Sequence, residues 1–170
     1  MNILQAIKTR KSVRIYLDKE VENKKLTNIL ENAKLAPSFL NRQEWRFIII
    51  RNKETKERLV NDANCPSIIL ECPIVIVGCG KPFDQIANTD QSSNIIDATI
   101  ALDHFSLAAI EHGLGTCWIS IFEENKIKEI LEIPKEIKIV ALMSLGYPKD
   151  PSKTEKKRLP LSQLIKYEKW

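Results

Sequence analysis

The chain has 170 residues, of which 44% are hydrophobic and 28% charged, proportions that are ordinary for a soluble globular protein. This length suits one domain, and no apolar run approaches the roughly 20 residues of a membrane-spanning helix. The N-terminus has no long apolar core with a small-residue cleavage pattern, so no secretory signal is expected. By elimination, we expect a cytoplasmic protein without a membrane partner.

The net charge of +4 is distributed unevenly. Residues 1–25 carry seven Lys or Arg against three acids, and residues 149–170 also carry seven against three. Residues 26–148 hold 12 basic and 16 acidic side chains, a balance of −4. Such basic ends are typical of termini that meet around an anion, for example a phosphorylated cofactor, or of a nucleic-acid surface. The second reading is weaker because the basic stretches lack interleaved aromatic residues.

The four cysteines are Cys65, Cys72, Cys79 and Cys117. Three of them are seven residues apart, which matches neither a CxxC pair nor a zinc-binding spacing. Disulfides are rare in the cytosol. We therefore expect reduced thiols that mostly fill the core, and no metal site.

Hydrophobic periodicity predicts alternating helices and strands, although not regularly enough for a clean βαβ series. Helices are predicted over residues 2–9, 22–36, 53–62, 92–112 and 123–131. Strands rich in β-branched or aromatic residues are predicted at 45–50, 73–79, within 113–120 and at 137–145. A polar connection is expected over 80–91, and a docking segment is suggested by Leu161, Leu164 and Ile165.

The helix predicted at 92–112 is apolar on nearly every face. Three of its polar residues, Asp97, His104 and Glu111, are seven residues apart and form one narrow stripe. Such a helix is typical of the centre of a core or of a subunit interface. Asp97 and His104 lie two turns apart, so they are not an acid–base pair, and His104 is expected to be a hydrogen-bonded core or interface residue.

A cluster of cations and a hydroxyl follows the first helix, at Arg10, Lys11, Ser12 and Arg14. Guanidinium groups bind phosphate oxygens in pairs, Lys adds a point charge and Ser adds a neutral donor. In an extended chain Arg10, Ser12 and Arg14 would share one face, as a phosphate grip requires. From these residues alone, a solvated basic turn is an equal alternative.

Four stretches together make the sequence resemble the nitroreductase family of FMN-dependent flavoproteins, in its short form. They are residues 10–14, the loop from Ala36 to Trp45, the apolar helix leading into Gly113-Leu114-Gly115, and residues 145–148 with the basic run after them. They follow the family's order over residues 10–158. The resemblance implies an α+β fold, with a central mixed or antiparallel sheet flanked by helices. It also implies one FMN-binding domain over 1–170 and an intertwined homodimer with two FMN sites at its interface.

The resemblance also assigns cofactor-binding positions. Those that match the family's phosphate grip are Arg10, Lys11, Ser12, Arg14, Lys156 and Arg158. Those that match the loop laid by the partner subunit against the isoalloxazine are Pro37, Ser38 and Phe39. Polar positions near the ring's edge are matched by Asn41 and Gln43. The segment past the flavin's reactive edge, where a backbone N–H can bond N5, is matched by Trp118, Ile119 and Ser120.

Three positions depart from the family pattern. Phe39 stands where a second Ser is usual, Glu44 replaces the common Pro before Trp45, and Ser120 stands where Gly is frequent. The first makes the mouth of the site more apolar, and the second places a carboxylate near the loop. The chain is also short, and only residues 80–91 are available as a lid, so we expect an open site.

The resemblance implies ping-pong chemistry, in which NADH or NADPH gives hydride to flavin N5 and leaves before an acceptor binds. The acceptor class is a nitroaromatic, a quinone or a similar small molecule. No side chain is assigned a catalytic role, because the cofactor carries the chemistry.

Other functions stay open at this point. One is a specialised family member, such as a dehalogenase or a flavin-processing enzyme, and another is a flavin-binding redox sensor that uses Cys117. A small nucleic-acid-binding module would instead bind no flavin and would bind nucleic acid in a strongly salt-dependent way. We expect no nucleic-acid partner.

Overall fold

The computed structural model describes residues 2–82, 93–152 and 156–170. Its helices are α1 (Ile3–Thr9), α2 (Asn23–Ala33), α3 (Lys53–Asp62), α4 (Ile68–Glu71), α5 (Ser93–Glu111), α6 (Glu124–Leu131) and α7 (Leu161–Leu164). Its strands are β1 (Trp45–Ile50), β2 (Ile74–Gly80), β3 (Gly115–Ile119) and β4 (Lys138–Gly146). Most of the polar connection predicted at 80–91, and with it the possible lid, lies outside the described residues.

The strands form one sheet in the order β1-β2-β4-β3, and each neighbouring pair is antiparallel. Leu142 in the middle of β4 faces Val77 on one side and Ile119 on the other. All the strands predicted from the sequence are present. The α+β fold class with an antiparallel sheet is therefore confirmed.

Helices cover both faces of this sheet, which explains why β2 is apolar at every position. Val75 and Val77 pack into a cluster with α3, α4 and α6. Ile74 and Ile76, which point to the opposite face, pack with α2 and α5. Strands buried on both faces read as continuous apolar runs rather than as an alternating pattern.

α5 is the central helix of the second face, as its apolar sequence predicts. Leu102, Phe105 and Ala109 are completely buried against the sheet, and burial of Phe105 alone contributes about 1.5–3 kcal/mol. The start of the helix is different, because Ile95 and Ile96 are 38% and 40% exposed. The helix therefore packs on the core through its later turns and carries uncovered apolar residues near its beginning.

Two short helices were not predicted. α4 precedes β2, and α7 lies in the segment expected to dock near the end of the chain. The apolar side chains of that segment, Leu161, Leu164 and Ile165, are all exposed, so they do not pack into the described part of their own chain. Within residues 2–82, 93–152 and 156–170, no helix combines the length and apolar character needed to cross a bilayer.

Candidate functional site

The basic N-terminal segment is extended and lies against the edge of the sheet. We call residues 10–17 the strap. The Val13 N–H donates to the Thr116 carbonyl at 2.9 Å, and Ser12 forms a parallel bridge with Thr116. A Cβ at Gly115 would overlap the buried Val13 side chain, so glycine is required for this close approach. The extended chain that a shared face of Arg10, Ser12 and Arg14 requires is therefore present.

Tyr16 fixes the far end of the strap in the core. Its hydroxyl donates to the Val13 carbonyl at 2.7 Å and shares a 2.6 Å hydrogen bond with Ser144 Oγ. Burial raises the pKa of Tyr16 far above its ordinary value, so the phenol stays neutral and keeps its proton for these bonds. The backbone carrying Arg10 to Arg14 is therefore held in place by buried contacts.

Cations from both ends of the chain meet beside α1. The Lys156 ammonium donates to the Ile7 carbonyl in the last turn of that helix. Burial, followed by the positive charges of Arg10 and Arg158, lowers the pKa of Lys156. Cations from the two basic ends of the chain thus lie close together beside α1.

Lys11 makes different contacts from its neighbours. Its ammonium donates to the carbonyls of Asp150 and Ser152, at 3.1 and 2.6 Å. These bonds tie the strap to the chain that follows β4. Arg158 also has a backbone partner, since its guanidinium donates to the Lys157 carbonyl at 2.9 Å.

Arg14 points to a cavity of about 360 Å³ at the end of β3, which we call the β3 cavity. Its walls include the whole segment predicted to pass the flavin's reactive edge, Trp118, Ile119 and Ser120. Arg10 and Lys11 line a separate cavity of about 180 Å³ with Thr116. The structure therefore places Arg10 and Arg14 on one strap but in different cavities.

One wall of the β3 cavity was missed by the sequence prediction. It is formed by the segment that leads into and through α4, namely Pro66, Ser67, Ile68 and Glu71. The available signal was Pro66-Ser67 ahead of an apolar run, which is a helix-start pattern. A helix of four residues is too short to show a hydrophobic period, so the pattern did not stand out.

The cysteines are free and buried. Burial raises the pKa of Cys65, Cys72 and Cys79 from 9.0 to about 11 in each case. These three thiols therefore remain protonated and unreactive near neutral pH. Cys117 differs from them in position, because it lines the β3 cavity.

The predicted flavin loop lies elsewhere, against the start of α5. Pro37, Ser38 and Phe39 line a cavity of about 250 Å³ with Asp97 and other α5 residues, which we call the α5 cavity. The Asn41 and Gln43 side chains are exposed and bonded to each other, with Gln43 Nε2 3.2 Å from Asn41 Oδ1. Both amides thus belong to the loop but do not line the α5 cavity.

The loop has an unusual backbone. Leu40, Asn41 and Gln43 have φ angles of 49°, 55° and 56°, in the left-handed region. This conformation costs about 1–2 kcal/mol for a residue with a side chain, and less for Asn. The Ser38 hydroxyl accepts from the Gln43 N–H at 3.0 Å and closes the loop. Such strained segments persist only where surrounding contacts hold them.

Glu44, one of the departures from the family pattern, is partly buried after the loop. Its carboxylate lies 3.7 Å from the Arg42 guanidinium, and its backbone carbonyl accepts from the Lys81 N–H at 2.8 Å. The carboxylate expected near the loop is therefore paired with Arg42.

The predicted site residues thus form two groups at opposite edges of the sheet. The loop leads into β1, whereas the strap and the β3 cavity lie along β3. β2 and β4 separate these edges, a distance of about 14 Å at the usual strand spacing. Within the described part of the chain, the β3 and α5 cavities share no lining residue. A single chain does not bring the two groups together.

Comparisons with known proteins account for this arrangement of elements. The model of the nitroreductase family matches residues 7–68 and 62–147 of the chain. The solved structure of a nitroreductase family protein from Clostridium difficile 630 superposes with a TM-score of 0.87 and 32% identity, covering 100% of both chains.

Two further relatives carry functional names. The structure of an FMN-dependent nitroreductase from Clostridium difficile R20291 matches with a TM-score of 0.79 and 30% identity, over 98% of this chain and 99% of that one. A Bacillus subtilis protein named FMN reductase [NAD(P)H] is 29% identical over 93% of this chain and 70% of its own length. Since the family model and a relative of 30% identity both span most of the sequence, this chain belongs to the nitroreductase family.

Proposed function

We propose that this protein is an FMN-dependent oxidoreductase that uses NADH or NADPH to reduce a nitroaromatic, a quinone or a similar small acceptor. Family membership and the names of the FMN-dependent and NAD(P)H-linked relatives support the cofactor and the electron donor. When bound, FMN accepts hydride from the nicotinamide and passes electrons to the acceptor.

The convergence of cations beside α1 is the observation that carries this proposal. Burial lowers the pKa of Lys156, and the nearby charges of Arg10 and Arg158 lower it further. An anion placed among them would relieve that repulsion and accept charge-assisted hydrogen bonds. The charge of this cluster suits a phosphate group. Arg10 and Arg158 are its principal ligands in this proposal, and Lys11 supports the strap through its backbone contacts.

The β3 cavity suits the isoalloxazine ring of FMN. Trp118, Ile119 and Ile121 give it apolar walls, while Arg14 and Ser120 add polar groups. Ligand pockets in proteins combine such mainly apolar walls with a few placed polar groups, in volumes of about 300–1,000 Å³. These residues would exclude water and orient the ring, and no described side chain is required to transfer a proton.

We further propose that the complete site forms in a homodimer, where the loop of one subunit covers the β3 cavity of the other. This explains why the two groups of site residues lie apart within one chain. Exposed apolar residues are available for the subunit contact on α1 and α5 and near the C-terminus; they are Ile3, Leu4, Ile7, Ile95, Ile96, Leu161, Leu164 and Ile165.

The test is flavin binding by the purified protein. The protein is incubated with excess FMN, desalted, and examined by visible absorption and by quenching of flavin fluorescence. Stoichiometric FMN that remains through desalting is expected. Protein that retains no flavin, yet binds nucleic acid with a strong salt dependence, would overturn the proposal and favour the nucleic-acid reading.

A further inference from the structure

Asp97 makes a contact that the proposed function does not use. It lies near the start of α5 and its side chain is buried. Both of its carboxylate oxygens accept from the Phe39 N–H, each at 3.1 Å. Asp97 and Phe39 also line the same α5 cavity, 58 positions apart in the sequence.

This hydrogen bond acts on the strained part of the loop. Phe39 immediately precedes Leu40 and Asn41, whose backbones are left-handed. Within the loop, the Asn41 N–H donates to the Ser38 carbonyl and the Arg42 N–H to the Phe39 carbonyl. These internal bonds shape the turn, but they do not attach it to the rest of the fold. The bond to Asp97 attaches it to α5.

A carboxylate suits this role better than a neutral side chain. Its hydrogen bond to a backbone N–H is charge-assisted and stronger than one between neutral groups. Asp97 is carried by a long helix that packs on the sheet through Leu102 and Phe105. The acceptor is therefore fixed relative to the core.

We propose that Asp97 is a positioning residue, which holds the loop containing Pro37, Ser38 and Phe39 in the conformation that covers the flavin site. The inference rests on the proposed function, because it takes this loop to be part of that site. It predicts that Asp97 tunes flavin affinity although it does not itself contact the cofactor.

The first test reads the loop without any flavin. Hydrogen exchange of the Phe39 amide is measured in the wild type, in Asp97→Asn and in Asp97→Ala. Because the bond to the carboxylate protects this amide, Asp97→Ala is expected to raise its exchange rate about tenfold or more, with little change in β2. Asp97→Asn retains one acceptor oxygen, so its Phe39 exchange rate should lie between those of the wild type and Asp97→Ala. Equal Phe39 exchange in all three proteins would overturn the inference.

The second test measures the dissociation constant of FMN and the visible circular dichroism of the bound flavin. Asp97→Ala is expected to weaken binding about tenfold and to change the dichroism, and Asp97→Asn to recover most of the affinity. The control is Asp103→Ala, which removes an exposed carboxylate of the same helix and should behave as the wild type.

The outcomes separate the two proposals. Faster loop exchange with unchanged flavin affinity and dichroism would overturn the positioning role while leaving the proposed function intact. Wild-type protein that binds no FMN would overturn both. If Asp97→Ala does not fold, Asp97→Asn tests the positioning role instead. Because this variant loses the charge, it should show faster Phe39 exchange and weaker flavin binding than the wild type. Wild-type values for both would overturn the inference.

Discussion

The ammonium of Lys156 is hydrogen-bonded to the backbone carbonyl of Ile7, which joins the basic C-terminal segment to the last turn of α1. Through this contact Arg158 and Arg10 come close to the same lysine. Residues separated by almost the whole chain thus make one cationic centre.

Substitution of Arg10 or Arg158 by Ala should weaken FMN binding without unfolding the protein. Each change removes charge-assisted bonds to one phosphate, which corresponds to an affinity loss of about 10- to 100-fold. Fluorescence titration with FMN measures the effect, and the melting temperature checks the fold. The matched control is Lys8→Ala, an exposed cation in α1. Unchanged flavin affinity in both arginine variants would remove these residues from the site.

Tyr16→Phe should destabilise the protein, because it deletes the hydroxyl that bonds the Val13 carbonyl and Ser144. Leaving buried polar partners unsatisfied costs about 1–3 kcal/mol. Urea unfolding measures this loss. Tyr167→Phe serves as the control, since Tyr167 is 85% exposed. Equal stability of the two variants would show that the Tyr16 hydroxyl does not stabilise the strap.

The buried thiols predict a loss of stability at high pH. Cys65, Cys72 and Cys79 titrate near pH 11 when folded and near pH 9 when unfolded. Between these values the unfolded chain has released protons that the folded chain retains, so raising the pH favours unfolding. Each thiol contributes up to about 1.4 kcal/mol per pH unit in that window.

Urea unfolding at several pH values between 7 and 10.5 tests this prediction. The free energy of unfolding should be nearly constant up to about pH 8.5 and then fall. Cys72→Ala should have a lower free energy of unfolding than the wild type at every pH. Above pH 9, however, its free energy of unfolding should fall less steeply with pH than that of the wild type. Identical slopes would show that the Cys72 thiol does not titrate as proposed.

The homodimer can be tested by light scattering across a dilution series, with flavin content measured on the same samples. Leu4→Glu places a charge on an exposed apolar surface of α1, so it should shift the protein towards monomer and reduce flavin retention. Leu70→Glu, at an exposed site on α4, is the control. A monomer that carries its full complement of FMN would contradict a site shared between subunits.

Much of the fold could be predicted because the local signals agree with the tertiary structure. Residues 45–50 and 74–79 are runs of β-branched or aromatic residues, and both became strands. The helix predicted to run to Ala36 ahead of Pro37 is present but ends at Ala33, three residues earlier. α4 was missed, since four residues do not establish a period.

The site was harder to predict wherever long-range contacts decide a residue's role. Lys11 is a predicted phosphate ligand, and its charge gives no sign that its ammonium is bonded to two carbonyls about 140 positions later. Asp97 was recognised only as part of a polar stripe. Its partner, the Phe39 N–H, is a backbone group that no side-chain pattern reveals.

The most direct test is anaerobic reduction of the FMN-loaded protein by NADH and by NADPH in a stopped-flow spectrophotometer, followed by mixing with a quinone or a nitroaromatic. We predict that the flavin absorbance bleaches with at least one nicotinamide and returns when the acceptor is added. Bound flavin that neither nicotinamide reduces would contradict an NAD(P)H-dependent oxidoreductase and would favour a flavin-binding sensor.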